Sequence, residues 1–383
     1  MKILYYYWNE NSKDDCVESM RRLGHTVTIW EHPVKNYAED PDFGASVNSE
    51  LCKNGYDCIF SFDYFPLLSE AALNHGIPYF SWVYDSPHHT LESVTLGNDC
   101  NHVFLFDFAL AELYRSKGYG TVDYMPLGVN IDRLDKLISS KHIDAKKYTH
   151  EITFMGSLYN DGYNFYDQIS FLPDYLKGYL DAIIKAQESI YGMDLASQML
   201  TPDICDRIGQ YVKADLGKGF NSVRDEIFRD MLRKKTTVNE RRNLLTKLGK
   251  HFSVDLFSGT NPPSDMNVRY MGTSDYYSEM PVVFASSKIN LNITLRSILT
   301  GIPLRVIDIL GAGGFCLTNY QAELAEYFEN EKELVWFESP DDMIDKADFY
   351  LKNDDLREKI ALTGHEAASR LFSYDVLLPK ILG

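Results

Sequence analysis

Short apolar blocks alternate with amphipathic ones along the first 130 residues. Lys2 to Trp8 (KILYYYW), His25 to Trp30 (HTVTIW), Asp57 to Phe62 (DCIFSF), Tyr79 to Tyr84 (YFSWVY), His102 to Phe106 (HVFLF) and Thr121 to Met125 are rich in β-branched and aromatic residues and read as strands. Between them lie helical stretches: Asp14 to Leu23 closed by Gly24, one ending near Asn54-Gly55, Leu67 to Asn74, and Ala109 to Lys117. Strands alternating with helices are joined by right-handed crossovers, so the pattern predicts a mostly parallel, doubly wound sheet.

Pro126 to Asn130 (PLGVN) is turn chemistry, and the polar stretch to His150 offers little core. The domain junction is expected there, giving domains of residues 1–145 and 146–383. A new apolar strand, Ile152 to Met155, runs into Gly156-Ser157. A helical pattern then fills residues 165–250, and its aromatics Phe165, Phe171, Tyr175 and Tyr179 read as helix core. Alternation resumes with Val254 to Ser258, Val268 to Met271, Ile289 to Ile293, the helix Leu304 to Leu310, Phe315 to Thr318 and Leu334 to Phe337. The expected fold is α/β: two doubly wound domains facing a cleft, a helical insertion in the second, and the last helix a candidate to pack back on the first.

Composition narrows the function. Apolar residues make up 45 % and charged residues 24 %, which excludes wholesale disorder. Thirty-eight Lys+Arg against 55 Asp+Glu leave a net charge of −17, which repels nucleic acid and anionic lipid. The longest basic run, Arg233-Lys234-Lys235, reads as a solvated helix face. No apolar run approaches the roughly 18–20 residues that span a bilayer. Six cysteines without CxxC spacing fit a reducing compartment, so the expected location is the cytoplasm.

Ligands of parallel sheets bind beyond the carboxyl ends of the strands. Those ends carry Asp63, Asp85 to His89, Asp107, Gly156-Ser157, and Asn290, Asn292 and Thr294 along INLNIT. In TGIPLRVIDILGAGGF, Pro303 suits a first helical position and Gly311 can end the helix in a left-handed conformation. A helix amino terminus preceded by Gly301 and reinforced by Arg305 suits a diphosphate, and Asp308, one turn on, suits ribose hydroxyls. Equally, Arg305 and Asp308 form a plain i,i+3 ion pair worth a few tenths of a kcal/mol. Gly313 and Gly314 are either a phosphate-approaching pair or glycines for close packing. No nucleotide-binding GxGxxG or P-loop is present.

The run from Tyr276 to Phe328, above all SSKINLNITLRSI and PLRVIDILGAGGF, resembles the CgeB-like glycosyltransferases, as do FSFDYFP at 60–66, SWVYDSP at 81–87, MGSLYNDGYNFYDQI from Met155 and NERRNLLTKLGKHFSVDLFSG from Asn239. The resemblance implies a GT-B fold and a hexosyltransferase-type enzyme (EC 2.4). Its donor would be a UDP- or dTDP-sugar held by the carboxyl-terminal domain, and its acceptor a glycan or surface protein, with no permanent cofactor. Asp308 matches the acidic residue that binds donor ribose in group 1 relatives, Gly156 and Ser157 match a phosphate-approaching loop, and PLGVN matches an interdomain turn. Where group 1 retaining enzymes carry a second glutamate, this chain has Thr300.

Most GT-B enzymes meet the charge growing on the departing diphosphate without a metal. Arg305 is the first candidate for that contact, with Arg296 and Lys288 behind it; Gly156, Ser157, Asn292, Gly301, Asp308, Gly313 and Gly314 complete the expected donor set. For deprotonating the acceptor, Asp85 and His88 are the candidates, with Asp63 beside them. His88-His89 lacks metal-ligand spacing, and no metal site is expected. A nucleotide-sugar epimerase and a non-catalytic nucleotide-sugar binding module are the alternatives.

Overall fold

A computed structural model describes residues 1–141, 148–160, 164–169, 171–221 and 223–383. The expected junction at 145–146 lies outside the described residues. Strands β1 (Lys2–Tyr7), β2 (Thr26–Glu31), β3 (Cys58–Phe62), β4 (Tyr79–Val83), β5 (Asn101–Leu105) and β6 (Val122–Tyr124) pair in parallel in the order β2-β1-β3-β4-β5-β6. A second parallel sheet contains β7 (His150–Met155), β8 (Val254–Phe257), β9 (Arg269–Gly272), β10 (Ser287–Asn292), β11 (Cys316–Asn319) and β12 (Val335–Phe337), in the order β12-β11-β10-β7-β8-β9. Two doubly wound α/β sheets with flanking helices are thus present, as the alternation predicts. β3 and β4 are buried along their whole length, which is why both read as unbroken apolar runs.

The chain divides into two units. The first takes Met1–Asn130, Asp215–Val223 and Phe372–Gly383; the second takes Ile131–Ala214 and Arg224–Leu371. In the first unit Val129 donates to Phe372 O and Tyr374 N–H returns to Val129 O, while Arg22 grips the Asp375 carboxylate through both oxygens. Asp215–Val223 comes from within the helical stretch yet belongs to the first unit. Phe220 bridges Ser93, and Asn221 N–H donates to Glu92 O at 2.8 Å.

The helical stretch holds Asp174–Gln187, Leu195–Met199, Pro202–Gly209 and Arg224–Leu248. Its core is Leu172, Leu176, Leu180, Ile183, Phe228 and Leu232 with their neighbours; of the aromatic stripe only Tyr179 packs against it. Phe165, Phe171 and Tyr175 are 59 %, 59 % and 61 % exposed. Tyr175 precedes Leu176 by one residue, and one residue turns a helix by about 100°, carrying the ring off the buried face. The basic run is not a solvated face either. Arg233 is buried, held by Asp194, Glu226 and Asp230, and ties the short Leu195–Met199 helix to the long one. A helix at Ile131–Ser140, which the polar composition of that region hides, packs beside Met280–Ala285 and donates from Arg133 to Tyr277 O.

The helix in TGIPLRVIDILGAGGF runs Leu304–Gly311, so Pro303 is its N-cap residue and not its first helical one. The left-handed residue lies two positions beyond the expected Gly311: it is Gly313, with φ +71°. Gly313 N–H donates to Leu310 O and Gly314 N–H to Ile309 O, the paired bonds of a Schellman cap. A Cβ on Gly314 would meet Asn290 Nδ2 at 2.7 Å and Phe284 O at 2.9 Å. Gly314→Ala is therefore expected to cost about 1–3 kcal/mol by overpacking. Gly178, exposed within a helix with open space around its Cβ position, should instead gain about 0.5–1 kcal/mol as alanine. Urea midpoints of the two variants check this, and equal midpoints would contradict it.

Candidate functional site

In the second sheet the chain runs outward from β7 to β9, then crosses to β10 and runs outward the other way. The switch point therefore lies between β7 and β10, where loops leave in opposite directions and open a crevice at the carboxyl edge. Arg241, in the carboxyl-terminal half of the Arg224–Leu248 helix, spans it. Its Nη1 donates to Ser157 O at 2.5 Å, and its Nε and Nη2 donate to Ile293 O at 3.1 and 2.6 Å. The guanidinium lies 5.0 Å from the Tyr159 ring centre and 5.4 Å from that of Phe154. Burial pulls its pKa below the ordinary arginine value, Tyr159 and Glu240 oppose this, and Arg305 adds repulsion. Two arginines thus approach the same crevice. Sequence spacing gives no sign of Arg241, which sits 64 residues before Arg305 in a helix of the inserted stretch.

Gly156 and Ser157 stand on the β7 side of this crevice. Gly156 N–H is committed to Phe257 O, and Ser157 Oγ accepts from Tyr159 N–H at 2.9 Å. On the β10 side, Gly301 and the amino terminus of Leu304–Gly311 follow the strand. Asp308 is 5 % exposed; its Oδ1 accepts from the Tyr276 hydroxyl at 3.1 Å, and its Oδ2 lies 3.9 Å from Arg305 Nη1. The i,i+3 pair is therefore present, while the Arg305 side chain keeps 29 % exposure above the Phe284 ring. Thr300 Oγ1 donates to Glu323 Oε1 at 2.8 Å, and Glu323 N–H donates to Thr300 O at 3.1 Å. A buried carboxylate from the loop after β11 thereby reaches the position where the resemblance implies a glutamate.

Five expected donor contacts are not brought here as free groups. Arg296 is spent on Glu240 through two bonds of 2.9 and 2.8 Å, donates to Ile190 O and lies over Tyr191. Lys288 stands at the start of β10, at the opposite edge of the sheet, 3.6 Å from Asp354. Gly313 and Gly314 cap the carboxyl end of their helix and precede β11, so they too lie at that opposite edge, roughly 12 Å of helix from Gly301. Asn292 is at the correct edge, but its amide donates to Thr294 and Thr318.

The first sheet switches direction between β1 and β3. Asp63, directly after β3, is 1 % exposed and has a left-handed backbone, φ +58°. Its Oδ1 accepts from the N–H groups of Tyr84 and Asp85 at 3.1 and 3.2 Å. His88 Nδ1 lies 3.9 Å from the same oxygen, and its Nε2 faces both Tyr64 N and Tyr64 O at 3.2 Å. Burial pushes Asp63 up to about 7; Asp85 is itself exposed, and partial desolvation of its carboxyl together with repulsion from Asp63 raises it to about 6; burial holds His88 below the ordinary histidine value. Contrary to the spacing argument, three groups of metal-ligating type meet, their atoms within 4.8 Å of one another.

A family model described as glycosyl transferase-like matches residues 234–383. No curated protein sequence matches the chain. Over the whole chain the fold is similar to sucrose-phosphate synthase from Thermosynechococcus elongatus (10 % identity, 97 % of that chain, TM-score 0.56). It is similar also to Anabaena Alr3699/HepE in complex with UDP-glucose (11 % identity, 98 %, 0.52) and to a putative UDP-N-acetylglucosamine 2-epimerase from Listeria monocytogenes (10 %, 94 %, 0.52). The two-sheet fold is that of the GT-B glycosyltransferases. Among the described residues, no helix is long and apolar enough to cross a membrane.

Arg241→Met would leave the Ser157 and Ile293 carbonyls without their donors. A loss of about 2 kcal/mol or more is expected, since an unsatisfied buried acceptor costs about 1–3 kcal/mol. Chemical denaturation checks it, and an unchanged midpoint would mean that water replaces the guanidinium freely.

Proposed function

We propose that the chain is a glycosyltransferase of the hexosyltransferase type that moves a sugar from a UDP- or dTDP-linked donor to a hydroxyl of a glycan or protein acceptor, without a metal. One observation carries the reading: at the switch point of the second sheet, Arg241 and Arg305 converge beside a helix amino terminus, with the Asp308 carboxylate one turn further in. That arrangement matches a nucleoside diphosphate, whose phosphates take N–H groups and guanidinium donors and whose ribose offers hydroxyls to a carboxylate. The UDP-glucose bound to HepE supports the choice of nucleotide. The CgeB-like resemblance and a cytoplasmic location belong to the same proposal.

In this mechanism the glycosyl–phosphate bond breaks as negative charge grows on the departing diphosphate. Arg305 and the helix amino terminus stabilise that charge, and Arg241 holds the two flanking loops in place while adding its field. Gly156, Ser157 and Gly301 let the backbone approach the phosphates. Asp308 takes the ribose, with Tyr276 orienting its carboxylate, and Glu323 faces the sugar hydroxyls, held by Thr300. On the acceptor side, Asp85 and His88 take the proton of the attacking hydroxyl.

Asp308→Ala is expected to weaken UDP binding by roughly tenfold or more, about 1.4 kcal/mol, in isothermal titration with the fold retained; unaltered affinity would remove Asp308 from the site. Arg305→Ala should abolish most turnover, and near wild-type transfer would leave Arg305 as a simple partner of Asp308. Incubation with a panel of nucleotide-sugars, with and without acceptors, followed by mass spectrometry, tests the class of reaction. Conversion of a UDP-N-acetylhexosamine alone would make the protein an epimerase, and binding without turnover a binding module.

A further inference from the structure

We propose that the acceptor is a carbohydrate whose terminal pyranose ring lies against Trp8, Tyr37 and Tyr84, with the hydroxyl to be glycosylated turned to Asp85. The proposal rests on the glycosyltransferase reading above and narrows its acceptor from glycan or protein to glycan.

The aromatic surface is assembled at the switch point of the first sheet. Trp8 follows β1, Tyr84 follows β4, and Tyr37 lies between β2 and the Pro41–Asn54 helix; all three belong to the first unit. Trp8 Nε1 donates to Phe62 O at 2.9 Å, which fixes the indole one residue before Asp63. Its ring centre lies 6.1 Å from that of Tyr84 at an interplanar angle of 30°, and Tyr84 meets the Phe62 ring edge-on at 5.6 Å. The N–H groups of Tyr84 and Asp85 both bind Asp63 Oδ1, so one clamp sets the aromatic residue and the candidate base together. Tyr37, 45 % exposed, stacks on Phe65 at 5.9 Å, and its hydroxyl, raised by burial and then by Asp63, lies within reach of that carboxyl's charge. Trp8 and Tyr84 are partly exposed and Asp85 is exposed.

The backbone marks the same place. Among the described residues other than glycine, Asn9, Asp63, Tyr159 and Glu331 have positive φ. The first three lie in the loops after β1, β3 and β7, three of the four strands that flank the two switch points. Such conformations persist where surrounding contacts over-determine them, and they gather at binding loops. After Trp8 the chain turns at Asn9, and buried Glu10 folds back to accept from Trp8 N–H at 3.2 Å and from the Tyr5 hydroxyl at 2.6 Å.

A pyranose has a face of C–H groups and a rim of hydroxyls, so it calls for flat apolar surface with placed polar groups beside it. Rings already held by their own hydrogen bonds and stacking lose little freedom when a sugar lands on them. A peptide acceptor would instead draw on main-chain partners. At this edge those groups are committed within the protein: Asp63 N–H donates to Trp82 O, Phe62 O accepts from Trp8, and Tyr64 O accepts from Thr90 Oγ1 at 2.6 Å. The edge therefore offers rings and side-chain oxygens, which is what a sugar ring requires.

The full chain is assayed with a panel of UDP- and dTDP-sugars against two acceptor sets: oligosaccharides ending in hexose or N-acetylhexosamine, and peptides containing serine, threonine and tyrosine. Mass spectrometry reads the products, and binding to an array of the same oligosaccharides gives a readout that needs no turnover. Transfer to oligosaccharides is expected. Transfer to peptides alone, or no oligosaccharide bound or glycosylated, would overturn the proposal and leave the donor site untouched. Oligosaccharide binding without transfer from any donor would overturn the transferase reading and keep the carbohydrate site. Trp8→Ala and Tyr37→Ala should each raise the oligosaccharide KM by roughly tenfold while kcat falls by less than about threefold, because the rings hold ground and transition states alike. Trp8→Phe keeps a flat ring and should stay within about threefold of the wild-type KM. Thermal melting verifies that each variant folds, and exposed Tyr37 supplies the variant that leaves the core intact. An oligosaccharide KM unmoved in folded Tyr37→Ala and in folded Trp8→Ala would overturn the proposal.

Discussion

A parallel strand cannot be joined to its neighbour by a tight turn, so in each sheet every crossover brings the chain back to the same starting edge. All carboxyl ends then share the opposite edge, where loops leave the strands and following helices present unpaired N–H groups. That constraint explains why polar side chains lie after apolar strands in both units. It also decides between candidates: Gly156, Ser157, Asn292, Gly301 and Asp308 follow or flank strand ends at the right edge, and Lys288, Gly313 and Gly314 do not. The position of the switch, between β7 and β10 in one sheet and between β1 and β3 in the other, then selects the loops that can open a crevice.

How each buried charge is satisfied separates structural from functional ones. Arg233 meets three carboxylates and Arg296 a bidentate glutamate; both are internally neutralised and hold the helical stretch together. Arg241 is different. Its hydrogen-bond acceptors are backbone carbonyls, so its full positive charge remains available to an incoming anion while its position is fixed. Asp63 is not its mirror: backbone N–H groups fix one oxygen, but the other is left without a donor in a buried setting, and burial raises its pKa toward the protonated form. A charge that is held in place but not neutralised acts at full strength, because no reorganisation is needed when a substrate charge develops beside it.

Much of the architecture follows from local pattern. The period-two and period-3.6 blocks are set by which residues must be hidden from water, and a one-residue change of phase exposes a whole face, so strand and helix order is legible along the chain. Asp85 and His88 were visible because they follow an apolar strand, and Asp308 because it lies one turn into a short helix. Periodicity misled where aromatics stand one residue off the buried face, at Phe165, Phe171 and Tyr175. Ile131–Ser140 keeps a helical period at Ile131, Leu134 and Ile138, but the charged residues between them give the stretch the composition of a linker.

Local sequence by itself determined that this protein would build two parallel sheets, where their strands end, and which short helix follows β10, since these depend on neighbours a few residues apart. Only tertiary structure decided that Arg241 spans the switch point, that Glu323 meets Thr300, that Arg296 is consumed by Glu240, and that Asp63 lies against Asp85 and His88. Each of those contacts joins residues about twenty or more positions apart, and whether a charge is neutralised, buried or left available depends on which distant groups the crossovers bring beside it.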